Sequence, residues 1–191
     1  MYKRQMRVEK ILCFLAIGVS AAVFIYSLGI MTDLYDSLYM TMRNPNDLTK
    51  TSVPGSIVYY TMQGFTQMLM LSGLGLILLS VLLFLTNCHV RRKYYVGNFV
   101  AVGLWTADAL FVSVWGHFQV NFYKAQFLQV DFEALRAHAD MWKTLYTEST
   151  FWFDVHYVLF GLLIVTAAAL AGNAVWKVRL MKQEEALLSG K

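Results

Sequence analysis

Four stretches of this chain are too long and too apolar to fold against water. Residues 11–30 run for 20 positions without a charge, and at 1.5 Å per residue a helix of that length matches a hydrocarbon core of about 30 Å. Residues 65–86 form a second run, with Gln67 near one end as its most polar member. A third, 96–118, contains a single charge, Asp108; the fourth, 153–175, confines Asp154 and His156 to its start and has no further charge, amide or imidazole before Asn173. Backbone groups inside a bilayer must be satisfied within the chain, so runs of this kind become helices. The sequence therefore predicts an all-α membrane protein: a four-transmembrane-helix bundle with amphipathic helices in two long outer loops.

Composition agrees. Hydrophobic residues make up 58% of the 191 positions and charged residues 15%, against about 45–50% and about 25% in an ordinary soluble domain. This excludes a disordered chain, a collagen and a disulfide-rich secreted scaffold, and it argues against a nucleic-acid partner despite the net charge of +4. The basic start at Lys3, Arg4, Arg7 and Lys10 resembles a signal peptide, but the apolar run that follows continues through Tyr26 and is longer than a cleavable core. The first span is expected to be retained.

Sidedness follows from where the basic residues fall. Eleven of the sixteen lie in the amino-terminal segment (Lys3, Arg4, Arg7, Lys10), the 87–95 link (Arg91, Arg92, Lys93) and the 176–191 tail (Lys177, Arg179, Lys182, Lys191). Loops 32–64 and 119–152 hold only Arg43, Lys50, Lys124, Arg136 and Lys143 together with most of the acids. The positive-inside rule then puts both termini in the cytoplasm of a plasma-membrane protein, with the two long loops outside. The short 87–95 link makes the second and third spans antiparallel neighbours, and no linker is long enough to separate domains, so residues 1–191 read as one tetraspan unit.

In the second outer loop, Asp131 is placed to cap a helix over about 131–149, whose apolar stripe would be Phe132, Leu135, Ala139, Trp142 and Tyr146. The first loop begins helically, with Leu34, Leu38, Tyr35 and Tyr39 at spacing four, and is broken by Pro45, Pro54 and Gly55. Aromatics at the span ends (Tyr26, Tyr59, Tyr60, Tyr94, Tyr95, Trp115, Trp152, Trp176) read as interfacial anchors. Lipid is as apolar as leucine, so helix packing depends on small residues. Candidate packing faces are Gly18, Ala22, Ile25 and Gly29 on the first span, Ser72, Gly73, Gly75 and Ser80 on the second, and Gly161, Val165, Ala168 and Gly172 on the fourth. Spacing alone does not say whether the helices they meet belong to this chain.

Two sets of residues have the chemistry for a site. Asp108 lies at the middle of its span, where a carboxylate costs at least about 2.5–3.5 kcal/mol, so it is expected to face the bundle interior. Trp105 and Trp115 share its face, and Tyr26 is a further wall residue, which together would suit a proton relay or an amine- or hydroxyl-bearing ligand. No Lys or Arg lies at its depth, so no ion pair to it is expected within the chain. The second set is on the outer side: His117, His138 and His156, with Asp154 nearby, offer the minimum for bis-imidazole haem ligation or a zinc or copper site. No motif requires a cofactor. Cys13 and Cys88 both lie near cytoplasmic span ends and the outer loops contain none. That absence separates the chain from tetraspanins and claudins, and from quinone-linked disulfide oxidoreductases. No P-loop, nucleophile elbow, dinucleotide glycine fingerprint or metalloprotease helix occurs, so the sequence points away from an enzyme. The leading expectation is a small membrane protein that acts by interaction, with lipid and with itself or other subunits. A transporter, channel or lipid-like ligand binder centred on Asp108 is the alternative, and a redox or metal protein using the histidines the second.

Overall fold

The computed structural model describes residues 2–41, 53–87, 92–143 and 145–190, and the side chains of 3–33, 53–87, 96–141, 143 and 145–190. Cys88, Arg91, Pro45 and the side chains of Leu34, Tyr35, Leu38, Tyr39, Lys93, Tyr94, Tyr95 and Trp142 lie outside the described residues. The described residues form six helices and no strand: α1 (Tyr2–Thr41), α2 (Ile57–Thr61), α3 (Gln63–Thr86), α4 (Arg92–Phe127), α5 (Phe132–Trp142) and α6 (Phe151–Leu188). Four segments are long and apolar enough to cross a membrane: Lys3–Asp33, Ile57–Thr86, Val96–Phe127 and Phe151–Leu188.

Each long helix outruns its apolar core. Helix α1 extends beyond the 11–30 run at both ends, to Tyr2 and Thr41, α4 continues to Phe127, and residues 176–188 of the expected tail are the last turns of α6. A helix leaving the bilayer keeps its own backbone hydrogen bonds, so nothing obliges it to stop at the lipid boundary. The loop helix is shorter than its apolar stripe suggested. It ends at Trp142, where Lys143 turns left-handed (φ 52°), so 145–150 are not helical.

The long helices form a ring in which α1 packs on α3 and α6, and α4 packs on α3 and α6. Neighbours run antiparallel. Asn87 at the end of α3 donates to the Met6 carbonyl at the start of α1, and Lys177 late in α6 meets Glu9; at the opposite end the Trp152 indole donates to Asp33 at 2.9 Å. The start of α1 and the end of α6 therefore share one end of the bundle.

The core is a seam of Cys13, Ala16, Val19, Val23, Tyr26 and Ile30 on α1 and Leu69, Leu76 and Leu83 on α3. It meets Ala101, Trp105, Ala109 and Val112 on α4 and Phe153, Phe160, Leu163, Ala167 and Leu170 on α6. The outer faces are as apolar as the inner ones, with Ile11, Phe14, Leu78, Val100, Val114 and Val158 exposed. This is the pattern of a helix surrounded by protein on one side and lipid on the other.

The small residues divide between these two sides. Gly73 brings α3 against the α1 backbone, where an added Cβ would lie 3.1 Å from the Phe24 Cα. A Cβ added at Gly116 would lie 3.0 Å from the Phe160 ring, and one at Gly29 would collide with the Trp152 indole. The line Gly161, Val165, Ala168 and Gly172 instead faces outward, and nothing lies within 4 Å of a Cβ built at Gly161 or Gly172. Several expected anchors are interior: Tyr26 and Tyr59 are each only 2% exposed. An indole or phenol ring near a span end can fill a gap between helices as readily as it can float at the headgroups, and here the gap prevails. A Gly73→Leu variant should lose about 1–3 kcal/mol through overpacking, whereas Gly18→Leu, at an open position, should unfold like the parent. Denaturant unfolding of both in the same bicelles makes the comparison.

Candidate functional site

Four groups of polar side chains are held within the bundle or on its seams. The most buried lies at the end that holds the termini. Lys177 and Glu9 are 1% and 2% exposed, and Lys177 Nζ donates to Glu9 Oε1 at 3.2 Å, Oε2 at 3.1 Å and Asn98 Oδ1 at 2.9 Å. Gln5 Nε2 donates to Glu9 Oε2 at 2.6 Å and to Asn173 Oδ1 at 3.4 Å, and Asn98 Nδ2 donates to Thr86 Oγ1 at 3.4 Å. The knot thus draws on all four long helices. Two desolvated charges are tolerable only where geometry and further hydrogen bonds support both; here Gln5 bonds the carboxylate and Asn98 the ammonium, with Asn173 behind Gln5.

From the sequence, Lys177 counts only among the basic residues of the 176–191 tail that set sidedness, and Gln5, Glu9, Asn98 and Asn173 are not candidate site residues. The structure corrects this, and a signal for it existed. The buried stripe Ile30, Tyr26, Val23, Val19, Ala16, Cys13, continued backwards at the same spacing, arrives at Glu9 and Gln5; the stripe Ala109, Trp105, Ala101 arrives at Asn98; and Leu163, Ala167, Leu170 lead to Asn173 and Lys177.

A second group lies midway along the bundle. Trp105 is fully buried, and its Nε1 donates to Ser80 Oγ at 2.8 Å and approaches Ser20 Oγ at 3.3 Å, with the two hydroxyls 3.2 Å apart. This ties α1, α3 and α4 through an indole, and it gives Trp105 a structural role away from Asp108.

Asp108 itself is only partly buried. On α4, Trp105, Ala109 and Val112 face the core and Leu104, Ala107 and Phe111 face outward, which leaves Asp108 at the boundary between the two arcs. It meets α3 there: Ser72 lies beside its carboxyl group, and a Cβ at Gly75 would sit 3.3 Å from Oδ2. The expectation of an interior acid is therefore corrected to one on a seam. Small residues at Ser72 and Gly75 let the carboxyl lie against α3, while the interior at that depth is filled by Trp105. Trp115 packs on Phe65 and stacks on Phe111, and Tyr26 packs edge-on against Phe160 of α6. Its hydroxyl finds no hydrogen-bond partner among the described residues. Asp108, Trp105, Trp115 and Tyr26 thus face three different parts of the bundle, and the geometry does not gather them around one ligand.

The fourth group is at the opposite end. His156 is fully buried; its Nδ1 donates to the Phe153 carbonyl, which leaves Nε2 to accept from His117 Nδ1 at 3.1 Å. His117 Nε2 then accepts from Asn121 Nδ2 at 3.2 Å, and Asn121 Oδ1 accepts from the Tyr157 hydroxyl at 3.0 Å. Asp154 is engaged elsewhere, by Lys124 at 2.5 Å and Thr150 at 2.7 Å, and His138 lies on α5. Among the described residues no three His, Cys, Asp or Glu side chains are grouped to hold a metal ion. An iron between two trans imidazoles would separate their nitrogens by about 4 Å, twice a metal–nitrogen bond of about 2.0–2.1 Å, so the 3.1 Å approach is that of a direct hydrogen bond.

Comparison with known proteins returns no match: no family model, curated protein or solved structure is significantly similar to the chain. Its chemistry must be read from its own residues.

Removing one partner from the knot leaves the other charge buried and unpaired, and Lys177→Met alone or Glu9→Gln alone should each destabilise the bundle by about 3–5 kcal/mol. The double variant Glu9→Leu/Lys177→Met should recover most of that loss. Unfolding free energies of the three variants in one detergent system test the non-additivity directly.

Proposed function

We propose that the protein acts by lateral interaction inside a plasma membrane, as a homo-oligomer or as an accessory subunit of a larger assembly, rather than by catalysis. The observation that carries this reading is the outward line of Gly161, Val165, Ala168 and Gly172 on α6. Small residues at helical spacing let two helix backbones approach closely, and this is the principal source of helix association where lipid supplies no hydrophobic drive. The chain's own bundle makes no use of that line, since Cβ atoms built at Gly161 and Gly172 would meet nothing within 4 Å. The buried polar groups point the same way, because the Lys177 knot, the Trp105 junction and the His117–His156 pair are bonded chiefly to one another. Between the Trp105 junction and the histidines lie Val23, Leu76, Val112 and Leu163, and the buried hydroxyls of Ser113 and Thr166 are bonded to helix carbonyls. A continuous polar path, which conduction would call for, has no support in this arrangement.

Orientation belongs to the same proposal. The end of the bundle with the termini carries exposed Lys3, Arg4, Arg7, Lys10, Arg179 and Lys182, which favours the cytoplasmic side. Helix α5 would then sit outside as an amphipathic cover, with Leu135 and Ala139 turned inward and Glu133, Arg136 and Asp140 turned to water.

Because the line on α6 is open, it can be blocked without disturbing the fold. The double variant Gly161→Leu/Gly172→Leu should unfold at the parent's denaturant concentration but associate at least about tenfold more weakly. Fluorescence energy transfer between labelled copies in vesicles reads self-association, and pull-down of untagged chains from the native membrane reads association with others. Unchanged association by both measures would remove α6 as the contact face.

A further inference from the structure

We infer that the α3–α4 seam at Asp108 docks a transmembrane helix of a different protein, one that carries a lysine or arginine at mid-membrane depth. The inference rests on the interaction reading above but uses another face of the bundle. Asp108 is central to the 96–118 run, and it is partly exposed at the edge of the seam, with its carboxyl group beside Gly75 of α3. The neighbours it meets on α3 are Ser72 and Gly75, neither of them charged. An ionisable group at that depth is normally satisfied by an opposite charge or by an aqueous cavity.

The sequence cannot supply that charge. No Lys or Arg occurs in 11–30, 65–86, 96–118 or 153–175, so neither this chain nor a second copy of it can bring a cation to the middle of the membrane. A second copy placed symmetrically would set one acid against another. Lipid amines are also excluded by depth, since headgroups lie about 15 Å away, half of a hydrocarbon core of about 30 Å. The seam is shaped for a side chain arriving from the lipid side. Gly75 and Ser72 keep its α3 wall low, and Leu71, Leu104 and Phe111, all exposed, supply apolar surface on either side for the stem of a lysine or arginine and for its helix. A basic residue in the partner's span would itself be costly in lipid, and docking satisfies both charges at once.

The test is affinity purification of the full-length protein from its own membranes in a mild detergent, comparing the parent with Asp108→Asn and Asp108→Glu. Asp108→Asn keeps a hydrogen-bonding group opposite Ser72 but removes the charge. The expected result is a co-purifying membrane protein with Lys or Arg centred in a span, recovered at least tenfold less with Asp108→Asn and near parental level with Asp108→Glu. Should Asp108→Asn fail to fold, the basic residue of the partner is replaced by leucine instead, and the same loss is expected. Equal recovery with Asp108→Asn overturns the inference and leaves the interaction reading standing. So does a partner whose spans lack Lys and Arg, or a small amine lost on Asp108→Asn in place of a protein. A parent protein that is monomeric and brings down no other chain overturns the interaction reading itself, and the docking site with it.

Discussion

The interaction on which the rest of the structure depends is the burial of Lys177 against Glu9. An ammonium and a carboxylate at 1% and 2% exposure remain charged only if water is replaced by groups of the right polarity on every side. Gln5 of α1 and Asn98 of α4 make that replacement, with Asn173 of α6 behind Gln5 and Thr86 of α3 behind Asn98. Satisfying the pair therefore brings one end of all four long helices together and fixes their rotation. It also explains why α1 starts so early and α6 continues so late: both must carry their helical registry past the apolar core to present Gln5, Glu9 and Lys177 inward.

From that end the bundle is held by close approach and by a few bonds. The α1–α3 contact is set by Gly73 against the Phe24 backbone, and the midpoint by the Trp105 indole shared between Ser80 and Ser20. At the far end His117 and His156 join α4 to α6, and Trp152 with Asp33 joins α6 to α1. Hydrophobic burial cannot distinguish inside from outside here, since lipid accepts Leu78 as readily as the core accepts Leu76. The polar groups and the glycines supply the distinction. What remains after they are used, the open line on α6 and the Asp108 seam, is the surface available to other chains.

Much of the fold was legible in the sequence, because it follows from the two-state choice between lipid and water. Four long apolar runs, two of them free of charge and two with a single acid each, became four helices long and apolar enough to cross a membrane, and the short 87–95 link made neighbours of the second and third. Asp131 caps α5, accepting from the Ala134 amide at 3.0 Å. Rotation about each helix axis was much harder to read. When both faces of a helix are apolar, periodicity weakens, so Gly161, Ala168 and Gly172 could be recognised as a packing face but not assigned to a partner. Asp108 was recognised as exceptional but assigned to the interior, because its cost in lipid is visible in sequence and the crowding of that interior by Trp105 is not. Lys177 was missed for a related reason. A lysine two residues beyond an apolar run looks like a topological signal, and only the continuation of the buried stripe shows it turning inward.

The proposed lateral association draws on this economy: most of the interior polar groups are engaged within the bundle, and the small residues of the α6 line face outward. The most direct measurement of that claim is native mass spectrometry of the protein ejected from native-membrane nanodiscs, without detergent exchange. The account predicts a defined species heavier than the 21.8 kDa chain by one or more polypeptides, whether copies of itself or a second protein. A population made up solely of single chains, bare or carrying a small-molecule adduct, would contradict it.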